Sequence, residues 1–246
     1  MKNEQGQVPS DVTTPDDAYA RLLEGNRRFQ LAEGHQEYQT DAGADPYPFA
    51  AIVHCMDSRV SPELIFDQPL GQLFTLRSAG PMVSAGDNTQ TDDVVGSLEF
   101  AVLRGVKLIA VFSHTRCGAL TSAVAAYFHE PEFEKATRDA EFLKRMVRRG
   151  LISVEQAKNS IEDPARNWRE GSPSSTNEAF VTEVARFHCN NICDEILESQ
   201  FISSALNRGQ IKILKGVYSV ESGTLLEHAV ISSTDKAERF NVRSHS

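Results

Sequence analysis

Two short segments carry the side chains of this sequence that are best suited to chemistry. Residues 55–59 read C-M-D-S-R, and residues 114–117 read H-T-R-C. Two thiolates and one imidazole form a ligand set that favours Zn²⁺ over Mg²⁺ or Ca²⁺, because the latter two prefer oxygen ligands. We therefore predict a zinc site built from Cys55, His114 and Cys117. The set leaves a fourth position for a water molecule or another side chain, as a catalytic zinc requires, whereas a fourth cysteine would indicate a structural site.

Asp57 and Arg59 are the predicted catalytic residues, and Asp57 is also a candidate for the fourth metal position. Side chains at i and i+2 of an extended segment point to the same side, so this carboxylate and guanidinium can form a bidentate ion pair. Held in this way, Asp57 could bind the metal, or it could leave the position to water and accept a hydrogen bond from the resulting hydroxide. Two thiolates offset the charge of zinc and make its bound water less acidic, so a nearby acceptor is useful.

Each of these residues also has a simpler interpretation when it is taken alone. A buried cysteine is usually a small apolar side chain. A histidine at a strand end is usually a hydrogen-bonded core residue, and Asp-x-Arg is usually an ion pair of a loop. The zinc hypothesis depends on both segments following buried strands, because neighbouring parallel strands bring such residues together at one edge of a sheet.

Short apolar runs predict the strands that would position the two segments. Continuous apolar runs are typical of strands buried on both faces, and helical patterns lie close to each run. This alternation predicts an α/β fold with a central, mostly parallel β-sheet flanked by helices. A hairpin turn at a sheet edge is predicted at residues 216–223. The predicted strands are residues 49–53, 73–76, 108–112 and 211–214.

The length of 246 residues predicts a single domain, covering 1–246. A helix over residues 92–104 is predicted as the crossover between the second and third strands. The segments of the domain are a loose N-terminus (1–13), an N-terminal helix (14–34), a metal-site core (47–128), a charged helical insertion on the surface (131–176) and a polar tail (232–246).

A further helix, predicted over residues 177–199, carries His188, Cys189 and Cys193. These residues could suggest a second metal site. Two cysteines four residues apart among apolar neighbours are instead typical of the buried face of a helix, which is the interpretation that we favour.

Composition and charge exclude several classes of function. The net charge of −9 argues against nucleic acid as a partner, because phosphate binding requires clustered Lys and Arg. The N-terminus lacks the apolar stretch of a secretory signal, and no run of apolar residues is long enough to span a membrane. Four cysteines are too few for a disulfide scaffold in a chain of this length and predict thiols or metal ligands in a reducing compartment. These features predict a cytoplasmic protein.

The spacing C-x-D-S-R followed by H-x-x-C resembles the paired signature of the β-class carbonic anhydrases. Most of the chain outside residues 131–176 resembles that family. The other similar segments are residues 23–29, 62–63, 65–68, 73–74, 77–80, 96–101, 117–119, 216–218 and 222–223.

The resemblance implies a function and an assembly. The implied reaction is the zinc-dependent, reversible hydration of CO₂ to bicarbonate and a proton, in which zinc-bound hydroxide attacks CO₂. The ligands would be Cys55, His114 and Cys117, with Asp57 as exchangeable ligand or hydroxide acceptor and Arg59 as its orienting partner. The resemblance also implies a homodimer or homotetramer in which the N-terminal helix lies across a partner subunit.

Some positions depart from the family pattern. Residues 77–81 read R-S-A-G-P where R-N-A-G-N is common, and Ser113 replaces the glycine usual before the metal-binding histidine. Ile52 and His54 stand where members with a non-catalytic bicarbonate site often have Trp and Gly, so we do not expect that regulation.

Two alternatives to CO₂ hydration stay open from the sequence. One is the hydrolysis of a related heterocumulene, carbonyl sulfide or carbon disulfide. The other is a structural or regulatory zinc protein in which Asp57 is locked on the metal.

Overall fold

A sheet of five strands forms the centre of the computed structural model, which describes residues 12–31, 47–83, 92–161 and 174–233. The strands are β1 (Ala50–Cys55), β2 (Leu73–Ser78), β3 (Leu108–His114), β4 (Lys212–Tyr218) and β5 (Leu225–Ile231). Their order in the sheet is β2-β1-β3-β4-β5; β1 to β4 are parallel and β5 pairs antiparallel with β4. This confirms the predicted α/β fold with a mostly parallel sheet.

The central strands are longer than their apolar runs. Every residue of β1 and β3 is buried, which explains the continuous apolar sequence, but both strands continue into polar residues at their carboxyl ends. The prediction of a turn over 216–223 was wrong for its first three residues, which pair with β3 as part of β4. The turn itself lies between Ser219 and Thr224, where the Ser219 N–H donates to the Thr224 carbonyl at 2.8 Å.

Helices cover both faces of the sheet. They are α1 (Pro15–Leu31), α2 (Pro62–Ile65), α3 (Asp92–Leu103), α4 (Gly118–Phe128), α5 (Glu130–Ala136), α6 (Glu141–Arg149), α7 (Leu151–Ser160), α8 (Ser174–Leu197) and α9 (Gln200–Asn207). One apolar cluster includes Leu22 of α1 and Leu120 of α4, and a second cluster on the opposite face includes Leu98 of α3 and Ile202 of α9. No helix within the described ranges is both long enough and apolar enough to cross a lipid bilayer.

The N-terminal helix starts where its sequence predicts. The Asp17 N–H donates to Thr14 Oγ1 at 3.1 Å, and the Thr14 N–H donates to Asp17 Oδ2 at 2.9 Å, so the two residues cap the helix reciprocally. Of the predicted helix 14–34, residues 32–34 lie outside the described residues, as do residues 1–11 of the segment predicted to be loose. Val12 is buried against the core, so the end of that segment is held in place.

Helices α6 and α7, and all of α5 except its first residue, lie within the segment predicted as a surface insertion. They pack against α4, and α7 also packs against α8. Phe133, Val147 and Val154 are buried in the first apolar cluster, so one side of each helix in this predicted surface insertion completes the core. Residues 162–173 of the predicted insertion, and 234–246 of the predicted polar tail, lie outside the described residues.

Replacing Gly25 by Ala is expected to destabilise the fold because α1 approaches α2 too closely for a side chain. A Cβ at Gly25 would lie 1.7 Å from the backbone oxygen of Phe66, so the helix would have to move. We expect the free energy of unfolding to fall by about 3 kcal/mol, the upper end for overpacking, in a urea titration. Gly96→Ala in α3 is the control: its Cβ would meet nothing within 4 Å, and the substitution should stabilise by about 0.5–1 kcal/mol. Equal effects of the two changes would contradict this account.

A second stability prediction concerns pH and Glu195 of α8. Burial raises the pKa of this carboxyl from 4.5 to about 7, and the neighbouring Glu198 acts in the same direction. The folded protein thus binds a proton that the unfolded chain has lost, and the free energy of unfolding should fall between pH 4.5 and 7. Because the group is partly exposed, we expect Glu195→Gln to stabilise by only about 1 kcal/mol above pH 7, and not at all below pH 4.5. Urea titrations at acidic and alkaline pH measure this; a gain that does not change with pH would contradict it.

Candidate metal centre

The predicted ligands meet at the carboxyl edge of the sheet. β1 and β3 are adjacent and parallel, with His54 in register with Phe112. β1 therefore ends at Cys55 close to the point where β3 ends at His114. Cys117 follows three residues later as the N-cap of α4. The prediction that neighbouring strand ends bring the two motifs together is confirmed.

The three side chains have the geometry of a zinc ligand set. The sulfurs of Cys55 and Cys117 and a ring nitrogen of His114 lie within 4.8 Å of one another, and all three residues are buried. The two sulfurs are 3.9 Å apart. Two Zn–S bonds of about 2.3 Å at a tetrahedral angle place their sulfurs about 3.8 Å apart. Among the residues that the structure describes, no other group of three or more His, Cys, Asp or Glu side chains is placed to share a metal ion.

His114 presents one nitrogen that the protein itself leaves without a partner. Nδ1 lies 2.8 Å from the Thr115 carbonyl oxygen, which can only accept, so Nδ1 carries the proton. Nε2 is buried and has no hydrogen-bond partner. A buried acceptor without a partner is costly, and a metal ion that binds Nε2 removes that cost. The donor set and its geometry therefore fit a zinc ion.

The two thiols share negative charge. A hydrogen bond from Cys117 is the main cause that lowers the pKa of Cys55 to about 4, and the backbone N–H of Gly80 also donates to this sulfur, at 3.3 Å. The same bond and burial raise the pKa of Cys117, although backbone N–H groups at the start of α4 act in the opposite direction. The pair thus holds one thiolate by itself, and a divalent cation favours the second.

Asp57 and Arg59 form the predicted bidentate ion pair next to these ligands. Arg59 Nε lies 2.9 Å from Asp57 Oδ1, and its second terminal nitrogen lies 2.7 Å from Oδ2. The residues lie in a turn rather than in an extended segment, and the Arg59 N–H also donates to Oδ1 at 2.9 Å. These bonds to Arg59 hold the pKa of the Asp57 carboxyl well below its usual range. Oδ2 lies 4.0 Å from His114 Nε2, so the carboxylate faces the ligand set.

Sequence reasoning assigned no role to Arg77 and Gly80, which also contact the site. A terminal nitrogen of Arg77 donates to the Asp57 carbonyl at 2.9 Å, and the Gly80 N–H reaches Cys55. Arg77 lies near the end of β2, the strand beside β1. Its position at a third strand end on the same sheet edge was the signal that could have identified it.

His54 lines a small cavity beside the site. The cavity is mostly apolar, with Ile52, Phe66, Phe112 and Tyr218 among its lining residues. Both ring nitrogens of His54 are buried without a hydrogen-bond partner, and burial lowers its pKa to about 3, so the imidazole is neutral. The expectation that this chain lacks a non-catalytic bicarbonate site stays a prediction.

Cys189 and Cys193 lie on a buried face of α8, as the helix periodicity predicts. Both thiols are free and buried. The Ser113 N–H donates to Cys189 Sγ at 3.2 Å, and this thiol donates to the Gly216 carbonyl at 3.2 Å. His188 contacts the Pro81 carbonyl oxygen at 2.7 Å through Nε2. These contacts tie α8 to β3, β4 and the segment after β2.

Comparison with known proteins identifies the family and agrees with the fold. The carbonic anhydrase family model matches residues 50–225. Carbonic anhydrase 2 of Mycobacterium tuberculosis is 39% identical over 120 residues, which are 46% of this chain and 55% of the relative. The match therefore spans about half the length of that relative. A β-carbonic anhydrase of Aspergillus fumigatus superposes with a TM-score of 0.59 at 18% identity, covering 89% of this chain and 91% of the other.

One of two tetrameric β-carbonic anhydrases of Sordaria macrospora superposes with a TM-score of 0.54 at 17% identity, covering 88% of this chain and 92% of the other. At such identities the superpositions show the fold alone, while the family model covers most of the chain. The family that the paired motif resembles is thereby confirmed. This chain belongs to the carbonic anhydrase family and has the fold of its β class.

Proposed function

We propose that the protein catalyses the zinc-dependent, reversible hydration of carbon dioxide to bicarbonate and a proton. The observation that carries this proposal is the convergence of Cys55, His114 and Cys117 on one point that the Asp57 carboxylate faces. Membership of the carbonic anhydrase family supports the same reaction.

In this proposal the protein holds Zn²⁺ through the sulfurs of Cys55 and Cys117 and through His114 Nε2. The bound ion supplies a Lewis-acid centre that lowers the pKa of a coordinated water molecule. The Thr115 carbonyl keeps the proton of His114 on Nδ1, which leaves Nε2 available. The Gly80 N–H stabilises the thiolate of Cys55. Each of these contacts prepares its ligand before the metal binds.

Asp57 receives a hydrogen bond at Oδ2 from the oxygen that attacks carbon dioxide. Arg59 bonds both carboxylate oxygens, so it fixes the direction of the carboxylate and keeps it ionised at neutral pH. An acceptor held in this way orients the attacking oxygen without competing for its proton. The same carboxylate can instead take the fourth metal position, which would close the site to water.

We also propose that the protein acts as a homodimer or homotetramer in the cytoplasm. The tetrameric relatives in Sordaria macrospora support an oligomer. Phe100 and Leu103 of α3 are 56% and 71% exposed, and the ring centroids of Phe100 and Phe74 are 6.2 Å apart. The side of the protein formed by α3 and the edge strand β2 therefore carries apolar surface, which suits a contact between subunits. All four cysteines are free thiols, which supports a reducing compartment.

Metal analysis and stopped-flow CO₂ hydration on one purified sample test the proposed function. We expect about one zinc per chain, as a single site predicts, and a hydration rate that increases from neutral to alkaline pH. Carbonyl sulfide is the competing substrate in the same assay, and a preference for it would favour the heterocumulene alternative. Full zinc content with no hydration at any pH would contradict the proposal and favour a locked, non-catalytic site.

A further inference from the structure

The loop between β3 and α4 carries two of the three predicted ligands and has an unfavourable backbone conformation. His114 ends β3, Cys117 caps α4, and only Thr115 and Arg116 lie between them. Arg116 has a φ of +55°, in the left-handed region that residues other than glycine seldom adopt. Such a conformation costs about 1–3 kcal/mol and persists only where surrounding contacts impose it.

Those contacts converge on the carboxylate of Glu221, in the turn between β4 and β5. Thr115 Oγ1 donates to Glu221 Oε2 at 2.7 Å, and Arg116 Nε lies 2.6 Å from Glu221 Oε1. The Ser219 hydroxyl donates to Oε2 as well, at 3.1 Å. The two carboxylate oxygens of Glu221 therefore bind Thr115 and Arg116, which are the two residues between the predicted ligands. Glu178 of α8 is a second partner of Arg116, at 3.2 Å.

The turn that carries Glu221 is itself fixed. The Val220 N–H donates to Thr115 Oγ1 at 3.0 Å, so the turn and the loop are bonded in both directions. Gly223 has a φ of +72°, its N–H donates to the Ser219 carbonyl at 2.9 Å, and its carbonyl accepts from the buried Asn26 of α1 at 3.1 Å. These hydrogen bonds fix the turn and thereby the position of the Glu221 carboxylate.

The network also reaches the Asp57–Arg59 pair. The terminal nitrogen of Arg59 that binds Asp57 Oδ2 lies 3.4 Å from the Arg116 carbonyl oxygen. The left-handed conformation of Arg116 therefore orients a carbonyl towards Arg59 while its side chain turns to Glu221. One carboxylate fixes a loop that both holds the ligands and contacts the orienting arginine.

We propose that Glu221 is a positioning residue of the metal centre, which sets the placement of His114 and Cys117 through Thr115 and Arg116. The inference rests on the zinc site of the proposed function, and it does not require that the site hydrates CO₂. Outer contacts of metal ligands typically change metal affinity by about 10–100-fold. Because Glu221 acts one contact further out, we expect an effect near the lower end.

The test compares Glu221→Gln and Glu221→Ala with Glu227→Gln as the matched control. Glu227 lies on the same hairpin, pairs with Arg186 at 2.8 Å and is 46% exposed, against 41% for Glu221. Zinc release to a chromogenic chelator and the absorption spectrum of the Co²⁺-substituted protein are the readouts. We expect both Glu221 variants to release zinc about tenfold faster and to shift the cobalt bands. Glu227→Gln should behave like the wild type in both.

Circular dichroism verifies that each variant is folded, and Glu221→Gln decides the test if the alanine variant does not fold. A zinc-release rate within about twofold of the wild type, with unchanged cobalt bands, would overturn the positioning role. The two readouts do not depend on CO₂ hydration. An inactive wild-type protein whose variants still release zinc faster would therefore contradict the proposed function and support this inference.

Discussion

Cys117→Ser is expected to lose zinc and, with it, CO₂ hydration. A neutral hydroxyl replaces a soft thiolate at a completely buried position. A structural zinc site of four ligands is worth about 10–16 kcal/mol, or roughly 3 kcal/mol per ligand, so affinity should fall about a hundredfold. Zinc content after dialysis against a weak chelator, measured with the hydration rate, checks this.

Cys193→Ser is the matched control for the loss of a thiol. Cys193 is also fully buried, but it lies on α8 in the second apolar cluster, away from the ligand set. Its substitution places a hydroxyl in an apolar core and should cost about 1–3 kcal/mol of stability without loss of zinc. If Cys117→Ser kept the zinc content and rate of this control, Cys117 would not be a ligand.

Asp57→Asn should reduce the hydration rate far more than the zinc content. The amide has the same shape, but it has lost the negative charge and one acceptor, and it leaves Arg59 without its bidentate partner. Loss of one positioned hydrogen-bonding group at a reacting oxygen typically reduces the rate by about 10²–10³-fold. Stopped-flow rates divided by the zinc content of the same sample measure the effect.

Glu24→Gln provides a matched control for breaking a carboxylate–arginine pair. Glu24 pairs with Arg27 on the exposed face of α1, with bonds of 2.9 to 3.1 Å that resemble those of Asp57 and Arg59. This variant should retain both zinc and rate. A sample of Asp57→Asn that had lost its zinc but kept its rate would contradict the role proposed for Asp57.

The sequence was most informative where strands are buried on both faces. β1 and β3 appear in the sequence as continuous apolar runs, and the residue types at their ends predicted the candidate ligand set, since thiolate and imidazole ligands favour transition metals such as zinc over Mg²⁺ or Ca²⁺. β5 is an edge strand whose residues are largely half-buried or exposed, so no apolar run marked it. The apolar runs also ended before the strands did, because backbone pairing continues through polar residues such as Ser113 and His114.

The support of the site could not be predicted, because it depends on contacts distant in sequence. Glu221 lies more than a hundred residues from Thr115, and only the pairing of β4 with β3 brings its turn to the metal loop. The left-handed conformation of Arg116 has no sequence signature in a residue with a side chain. The residue types predicted the ion pair of Asp57 and Arg59, but they did not show that the two residues lie in a turn instead of an extended segment.

X-ray absorption at the zinc edge of the wild-type protein tests the central claim most directly. We expect two sulfur neighbours at about 2.3 Å and the remaining nitrogen or oxygen neighbours at about 2.0–2.2 Å. A first shell of four sulfurs, or one without sulfur, would show that Cys55, His114 and Cys117 do not hold the metal together.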